Sequence, residues 1–104
     1  VVSNYNLMGP VKAALESSVR YMAKEPGEKD IRVFAVSPGP LRTRAASGID
    51  HFDELVDMAV TRSPGRRLVD IAEVGRVVAF LVGGAASGMT GDVIYVDAGL
   101  HHVA

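Results

Sequence analysis

Between Tyr5 and Lys24 apolar residues return every three or four positions, at Met8, Val11, Leu15, Val19 and Met22, the period of an amphipathic helix. Pro26-Gly27 stops that pattern, because proline lacks the amide proton a helix requires and glycine favours a turn. The block Ile31-Arg32-Val33-Phe34-Ala35-Val36 is rich in β-branched and aromatic residues and is closed by Ser37-Pro38-Gly39-Pro40; it predicts a mostly buried strand. Asp50, followed three residues later by Asp53, predicts a capped helix whose apolar face is Phe52, Leu55, Val56 and Ala59 and which ends at Arg62-Ser63-Pro64-Gly65. Asp70 and Glu73 have the form of a capping box ahead of Val74, Val77, Val78 and Leu81, with Gly83-Gly84 as the stop. A second strand is predicted at Val93-Ile94-Tyr95-Val96, entered through Thr90-Gly91 and left through Asp97-Ala98-Gly99.

The order helix, strand, helices, strand implies parallel pairing through a right-handed crossover, the repeating unit of a doubly wound α/β sheet. Two parallel strands do not make a stable sheet alone, since such sheets are covered on both faces and normally contain more strands. The rest of the sheet is therefore expected elsewhere. That the chain opens at Val1 with a helical pattern close behind agrees with an excised segment. Residues 1–104 are accordingly expected to be the C-terminal portion of one Rossmann-like domain. No internal repeat, low-complexity tract or linker divides them.

Composition narrows the class of partner. With 48% apolar and 22% charged residues the chain has the balance of a core-forming protein, not of a disordered segment. Its 11 basic and 12 acidic residues give a formal net charge of -1, so no overall field draws it to nucleic acid or to an anionic membrane. The absence of cysteine excludes disulfides and thiolate chemistry and agrees with a reducing, cytoplasmic setting. Apolar runs such as Val77 to Val82 are too short to span a bilayer. His51 stands alone and the adjacent His101 and His102 are not expected to share one face, so no metal site is assigned.

Two places carry candidate chemistry. On a single helix Tyr5 and Lys12, seven positions apart, share an azimuth to within about 20° and lie about 10.5 Å apart along the axis. Helical side chains lean toward the N-terminus, so the Lys12 stem can reach back and leave room for a small group, such as a sugar hydroxyl, between the two heads. Spacing alone equally permits a snorkelling lysine and a core tyrosine with a wet hydroxyl. The second place is the loop Ser37-Pro38-Gly39-Pro40-Leu41-Arg42-Thr43 after the first strand, where open α/β sheets bind ligands. There Gly39 permits close backbone approach, the prolines restrict the loop and Thr43 offers a hydroxyl.

Taken with their neighbours, these segments resemble the short-chain dehydrogenase/reductase superfamily and, within it, the enoyl-acyl-carrier-protein reductases. Tyr5-Asn6-Leu7-Met8-Gly9-Pro10-Val11-Lys12 has six residues between Tyr and Lys, whereas the broader superfamily usually has three and would place its tyrosine where Met8 stands. Leu15-Glu16, Arg20-Tyr21-Met22-Ala23, Ala45-Ala46-Ser47-Gly48-Ile49 and Thr90-Gly91-Asp92-Val93-Ile94-Tyr95-Val96-Asp97 continue the likeness over nearly the whole chain. It departs at Gly83-Gly84, where the family often has an acidic or polar residue, and at Ala98, where it has a second glycine.

The resemblance implies the C-terminal half of a doubly wound, Rossmann-like reductase that transfers hydride from NADH, with NADPH as the alternative, to the C=C bond of an enoyl thioester carried on acyl carrier protein or coenzyme A. It implies that Tyr5 stabilises the enolate oxygen and that Lys12 binds the nicotinamide ribose and keeps a positive charge near Tyr5. Leu41 would place a backbone group on the carboxamide, Gly39 would belong to the same cofactor loop, and Thr43 would approach the pyrophosphate. Ala45, Ala46, Ile49 and Phe52 would line the acyl pocket, though ordinary core packing explains any one of them as well. A homotetramer with the first helix in its interface is implied too. Arg42, Arg44, Arg62, Arg66 and Arg67 form either a patch for an acidic carrier protein or solvated surface.

No glycine-rich strand-to-helix turn of the dinucleotide-binding kind occurs in these residues, so that half of the fold is expected outside them. Two other readings stand beside the enoyl reductase. One is a catalytically silent fragment serving as an association module; the other is a short-chain reductase acting on a carbonyl compound.

Overall fold

The first helix, α1, runs Met8–Lys24 and so begins later than the apolar period predicts. The Gly9 N–H does donate to the Tyr5 carbonyl at 2.8 Å. Pro10, however, has no N–H for the Asn6 carbonyl, and regular helix starts only after that missing bond. The computed structural model describes residues 5–44, 46–48 and 50–103, which fall into two units, Val1–Ala35 with Ser87–Ile94 and Val36–Ala86 with Tyr95–Ala104.

In the first unit α1 buries Val19 and Ala23. Gly91, at φ 82°, brings its backbone so near that a Cβ there would meet the Ala23 Cβ at 3.3 Å, a place for which glycine is suited on both counts. The Gly91 N–H donates to the Val33 carbonyl at 2.7 Å, and the Val33 N–H donates to the Thr90 hydroxyl at 2.9 Å. These bonds explain why the strand predicted over 31–36 begins only at Ala35. Strand β1 is Ala35–Pro38, because β2, Val93–Val96, offers ladder partners only from Asp92 onward, and Val33 is held by the turn before it. Ile31, expected in a buried strand, is 49% exposed.

The two strands are hydrogen-bonded neighbours. Ala35 N–H donates to the Asp92 carbonyl and Gly39 N–H to the Val96 carbonyl, each at 3.1 Å. The offset is the same at both ends, so the pairing is parallel, as the alternation of helices and strands implied.

In the second unit helix α2, Phe52–Arg62, buries Val56 and Ala59. Its N-cap is not Asp50 but His51, in a left-handed conformation at φ 60° with no side-chain cap. Asp53 and Glu54 in the first turn supply the negative charge that the helix dipole favours there. Helix α3, Ile71–Val82, carries the capping box its sequence predicts. The Glu73 N–H donates to Asp70 Oδ1 and the Asp70 N–H to Glu73 Oε2, each at 2.8 Å. Leu81 is buried beneath α3, and Gly83 ends the helix. Among the described residues, Val69, Ala86 and Leu100 complete the buried apolar set of this unit, with Ala46 in the loop before α2. None of the helices in the described residues is long and apolar enough to cross a membrane.

Candidate functional site

Tyr5 stands ahead of α1, not on it, whereas Lys12 lies in the helix and is exposed. The pair is therefore not carried on one regular helix, as the spacing assumed. What joins them is the Tyr5 carbonyl, which accepts from Gly9 and fixes Tyr5 as the entry to the helix. Its side chain is half-buried.

The loop leaving β1 belongs to the second unit. Gly39 is needed there for a reason the sequence did not disclose: a Cβ would lie 3.1 Å from the Asp97 Cβ and 3.3 Å from its Cα. The close approach that Gly39 permits is thus to Asp97. Leu41 is half-buried, and its carbonyl accepts the Thr43 N–H at 2.9 Å. The Leu41 N–H has no partner among the described residues. The Thr43 hydroxyl oxygen accepts the Ala46 N–H at 3.1 Å, which leaves the hydroxyl proton free to meet a phosphate oxygen.

Of the acyl-pocket candidates, Ala46 is buried and Phe52 half-buried at the start of α2. Ala45 and Ile49 lie outside the described residues. Among the candidate patch arginines, Arg62, Arg66 and Arg67 are engaged locally. Arg62 donates to the Val103 carbonyl at 3.0 Å, Arg66 to the Thr61 carbonyl, and Arg67 forms a bidentate pair with Glu73.

A polar cluster that the sequence reading passed over surrounds the end of β2. A shallow depression of about 550 Å³ is lined by Arg67, Glu73, Phe80, Tyr95, Asp97 and His101, among others. Hydrogen bonding to Arg67, then the Asp70 N–H, holds the Glu73 carboxyl down to about 2; the same pairing raises Arg67. Burial works to raise Asp97, but hydrogen bonds from the His101 ring and from the His101 and Gly99 N–H groups outweigh it and leave the carboxyl lowered. His101 Nδ1 sits 3.0 Å from both Asp97 oxygens, and its ring stacks on Tyr95 at 4.0 Å between centroids. The His101 and His102 rings, expected to point apart, lie 3.9 Å apart between centroids within the 3₁₀ turn Leu100–His102. The four-residue spacing of Asp97 and His101 was visible in the sequence. Its meaning depended on the turn that Gly99 begins at φ 85°.

Comparison with known proteins gives this geometry a family. Residues 1–101 match the model of the enoyl-(acyl carrier protein) reductases. The chain is 45% identical over 100 residues to the NADH-dependent enoyl-acyl-carrier-protein reductase FabI of Enterococcus faecalis, covering 96% of this chain and 40% of that protein. It is 44% identical over 102 residues to the NADPH-dependent FabI of Staphylococcus aureus, covering 98% and 40%. Among solved structures, the Bacillus cereus enoyl-acyl carrier protein reductase with NADP+ and indole naphthyridinone superposes with a TM-score of 0.95 at 44% identity, covering 100% of this chain and 40% of that one. The chain thus spans about 40% of the length of the relatives it matches. With nearly all of its residues inside the matched region and its α/β elements superposing on a solved member, the chain belongs to the enoyl-(acyl carrier protein) reductase family.

Proposed function

We propose that residues 1–104 serve as the C-terminal portion of a single Rossmann-like reductase domain that reduces the C=C bond of an enoyl thioester with NADH or NADPH, in fatty acid synthesis. The observation that carries this reading is the Tyr5-to-Lys12 spacing within a match running over residues 1–101. The bound nicotinamide supplies the hydride. Tyr5 donates its hydroxyl to the thioester carbonyl oxygen, where negative charge gathers as the β-carbon accepts hydride. Lys12 binds the ribose hydroxyls and holds a positive charge that favours the developing oxyanion. On the loop after β1, Gly39 sets the path of the chain, the Leu41 amide meets the carboxamide and Thr43 meets the pyrophosphate. Ala45, Ala46, Ile49 and Phe52 line the acyl chain.

The thioester is carried on acyl carrier protein or coenzyme A, and the working form is a homotetramer in the cytoplasm. Support for association comes from α1, where Val11, Leu15 and Met22 are exposed apolar residues, more than scattered surface positions require.

The test is consumption of reduced nicotinamide by the full-length protein with crotonyl-coenzyme A and with crotonyl-acyl carrier protein, using NADH and NADPH in turn. Reduction of the C=C bond is expected. Turnover of ketones or β-ketoacyl thioesters in place of enoyl ones would establish the carbonyl reductase reading, and no turnover of either would favour the association module.

A further inference from the structure

The turn after β2 closes on one carboxylate. Asp97, its side chain only 8% exposed, accepts the Gly99 N–H on Oδ1 at 3.0 Å and the His101 N–H on Oδ2 at 2.8 Å. The His101 ring nitrogen Nδ1 lies 3.0 Å from both of those oxygens. Because the carboxyl is lowered and so ionised at neutral pH, it can only accept, and Nδ1 must carry the proton that bridges it. The ring is fixed in turn. It stacks on Tyr95 with an angle of 13° between the two planes. The loop leaving β1 rests on this same residue: the Gly39 N–H donates to the Val96 carbonyl at 3.1 Å, and a Cβ on Gly39 would lie 3.1 Å from the Asp97 Cβ. Gly39 has no room to settle closer. Since close-packed contacts transmit strain instead of absorbing it, the place of Asp97 sets the path of the chain toward Leu41, two residues on.

We propose that Asp97 and His101 are positioning residues for the cofactor loop: the His101 ring, bridging the Asp97 carboxylate, holds Asp97 against Gly39 and so fixes where the loop presents itself to the dinucleotide. The inference rests on the enoyl reductase reading, which assigns that loop to the nicotinamide. Neither residue is asked to touch the cofactor. Their effect passes through the Gly39 backbone, and it therefore falls on binding of the dinucleotide and not on the chemical step.

The experiment uses the full-length protein and compares His101→Phe, which keeps a ring for Tyr95 and loses the donor, with His101→Asn, which keeps a nitrogen donor and loses the ring. Gly39 amide exchange is expected to be roughly fivefold faster in His101→Phe, the loss of one ordinary hydrogen bond, and close to wild type in His101→Asn. The Kd for NADH, titrated without substrate, rises roughly fivefold in His101→Phe and is restored in His101→Asn, while kcat at saturating NADH stays the same in both. Asp97→Asn, which cannot accept on both of its terminal atoms, is expected to match His101→Phe or exceed it. Lower resistance to denaturant in His101→Phe with wild-type Gly39 exchange and NADH affinity would reduce the clasp to local support of its own turn and overturn the proposal. A loss in His101→Asn that His101→Phe escapes would give the hold to the stack on Tyr95 and overturn it as well. Failure of the wild type to bind NADH or reduce crotonyl-coenzyme A would overturn the enoyl reading, while the exchange measurement still decides the hold of the clasp on Gly39.

Discussion

Gly65 and Ala98 divide one space between them. A Cβ on Gly65 would lie 2.7 Å from the Ala98 Cβ, while the Gly65 N–H donates to the Ala98 carbonyl at 2.9 Å. Next along each segment, Gly99 at φ 85° packs so tightly on Pro64 that a Cβ would come within 2.9 Å of its ring. The turn after α2 and the turn after β2 are thus fitted backbone to backbone.

Gly65→Ala is expected to destabilise the full-length protein by about 2 kcal/mol, the usual scale of overpacking. Ala98→Gly alone should change stability little, because relief of a left-handed alanine at φ 55° is offset by the greater freedom of glycine in the unfolded chain. Combined, the two substitutions should recover more than half of the loss. Denaturant unfolding of the four proteins measures the coupling, and strictly additive effects would show that the two sites do not share their space.

Acid should loosen the end of β2 and the start of α3. The Asp97 carboxyl is lower in the folded protein than its ordinary value, so its contribution is present above the unfolded pKa and disappears as pH falls through the folded one. Glu73, moved from 4.5 to about 2, acts in the same direction between those two values. Unfolding free energy is expected to fall with pH below the ordinary carboxylate range, with a shallower slope in Asp97→Asn and in Glu73→Gln. A slope identical in all three proteins would remove both carboxylates from the acid response.

Turnover should separate Tyr5, ahead of α1, from Lys12 within it. Tyr5→Phe is expected to lower kcat about a hundredfold, the loss of one oxyanion donor, with little change in cofactor affinity. Lys12→Met is expected to weaken NADH binding, measured by titration without substrate. Equal NADH affinity in the wild type and Lys12→Met would deny Lys12 its part at the ribose.

The exposed apolar face of α1 includes Ser18, whose hydroxyl donates to the Ala14 carbonyl at 2.9 Å within its own helix and claims no outside partner. Flanked by Leu15, 52% exposed, and Met22, 55% exposed, this small residue would permit close helix approach. Ser18→Arg should shift the full-length protein toward smaller species in sizing at low concentration. An unchanged oligomer would place the interface elsewhere.

Periodicity and local chemistry sufficed for α3. Asp70 and Glu73 are three residues apart, and the bonds they make lie within one turn, so nothing distant was needed to foresee them. The same is true of the second strand, which occupies Val93–Val96 as predicted, and of the parallel pairing implied by the order of elements. The Tyr5-to-Lys12 spacing likewise pointed to the family from the sequence alone. Where distant backbone decides, the sequence was silent. Strand β1 starts at Ala35 because its ladder partner begins at Asp92, fifty-seven residues away in the chain as the Val33 bond to Thr90 also is. Gly39 and Gly65 each leave out a side chain for a residue of the turn after β2, and the Asp97–His101 clasp forms only because Gly99 bends the chain between them. Local patterns fix what a segment can become, since caps and periods act over a few residues. Which edge pairs, which glycine is crowded and which polar groups meet depend on atoms that only the folded chain brings within reach.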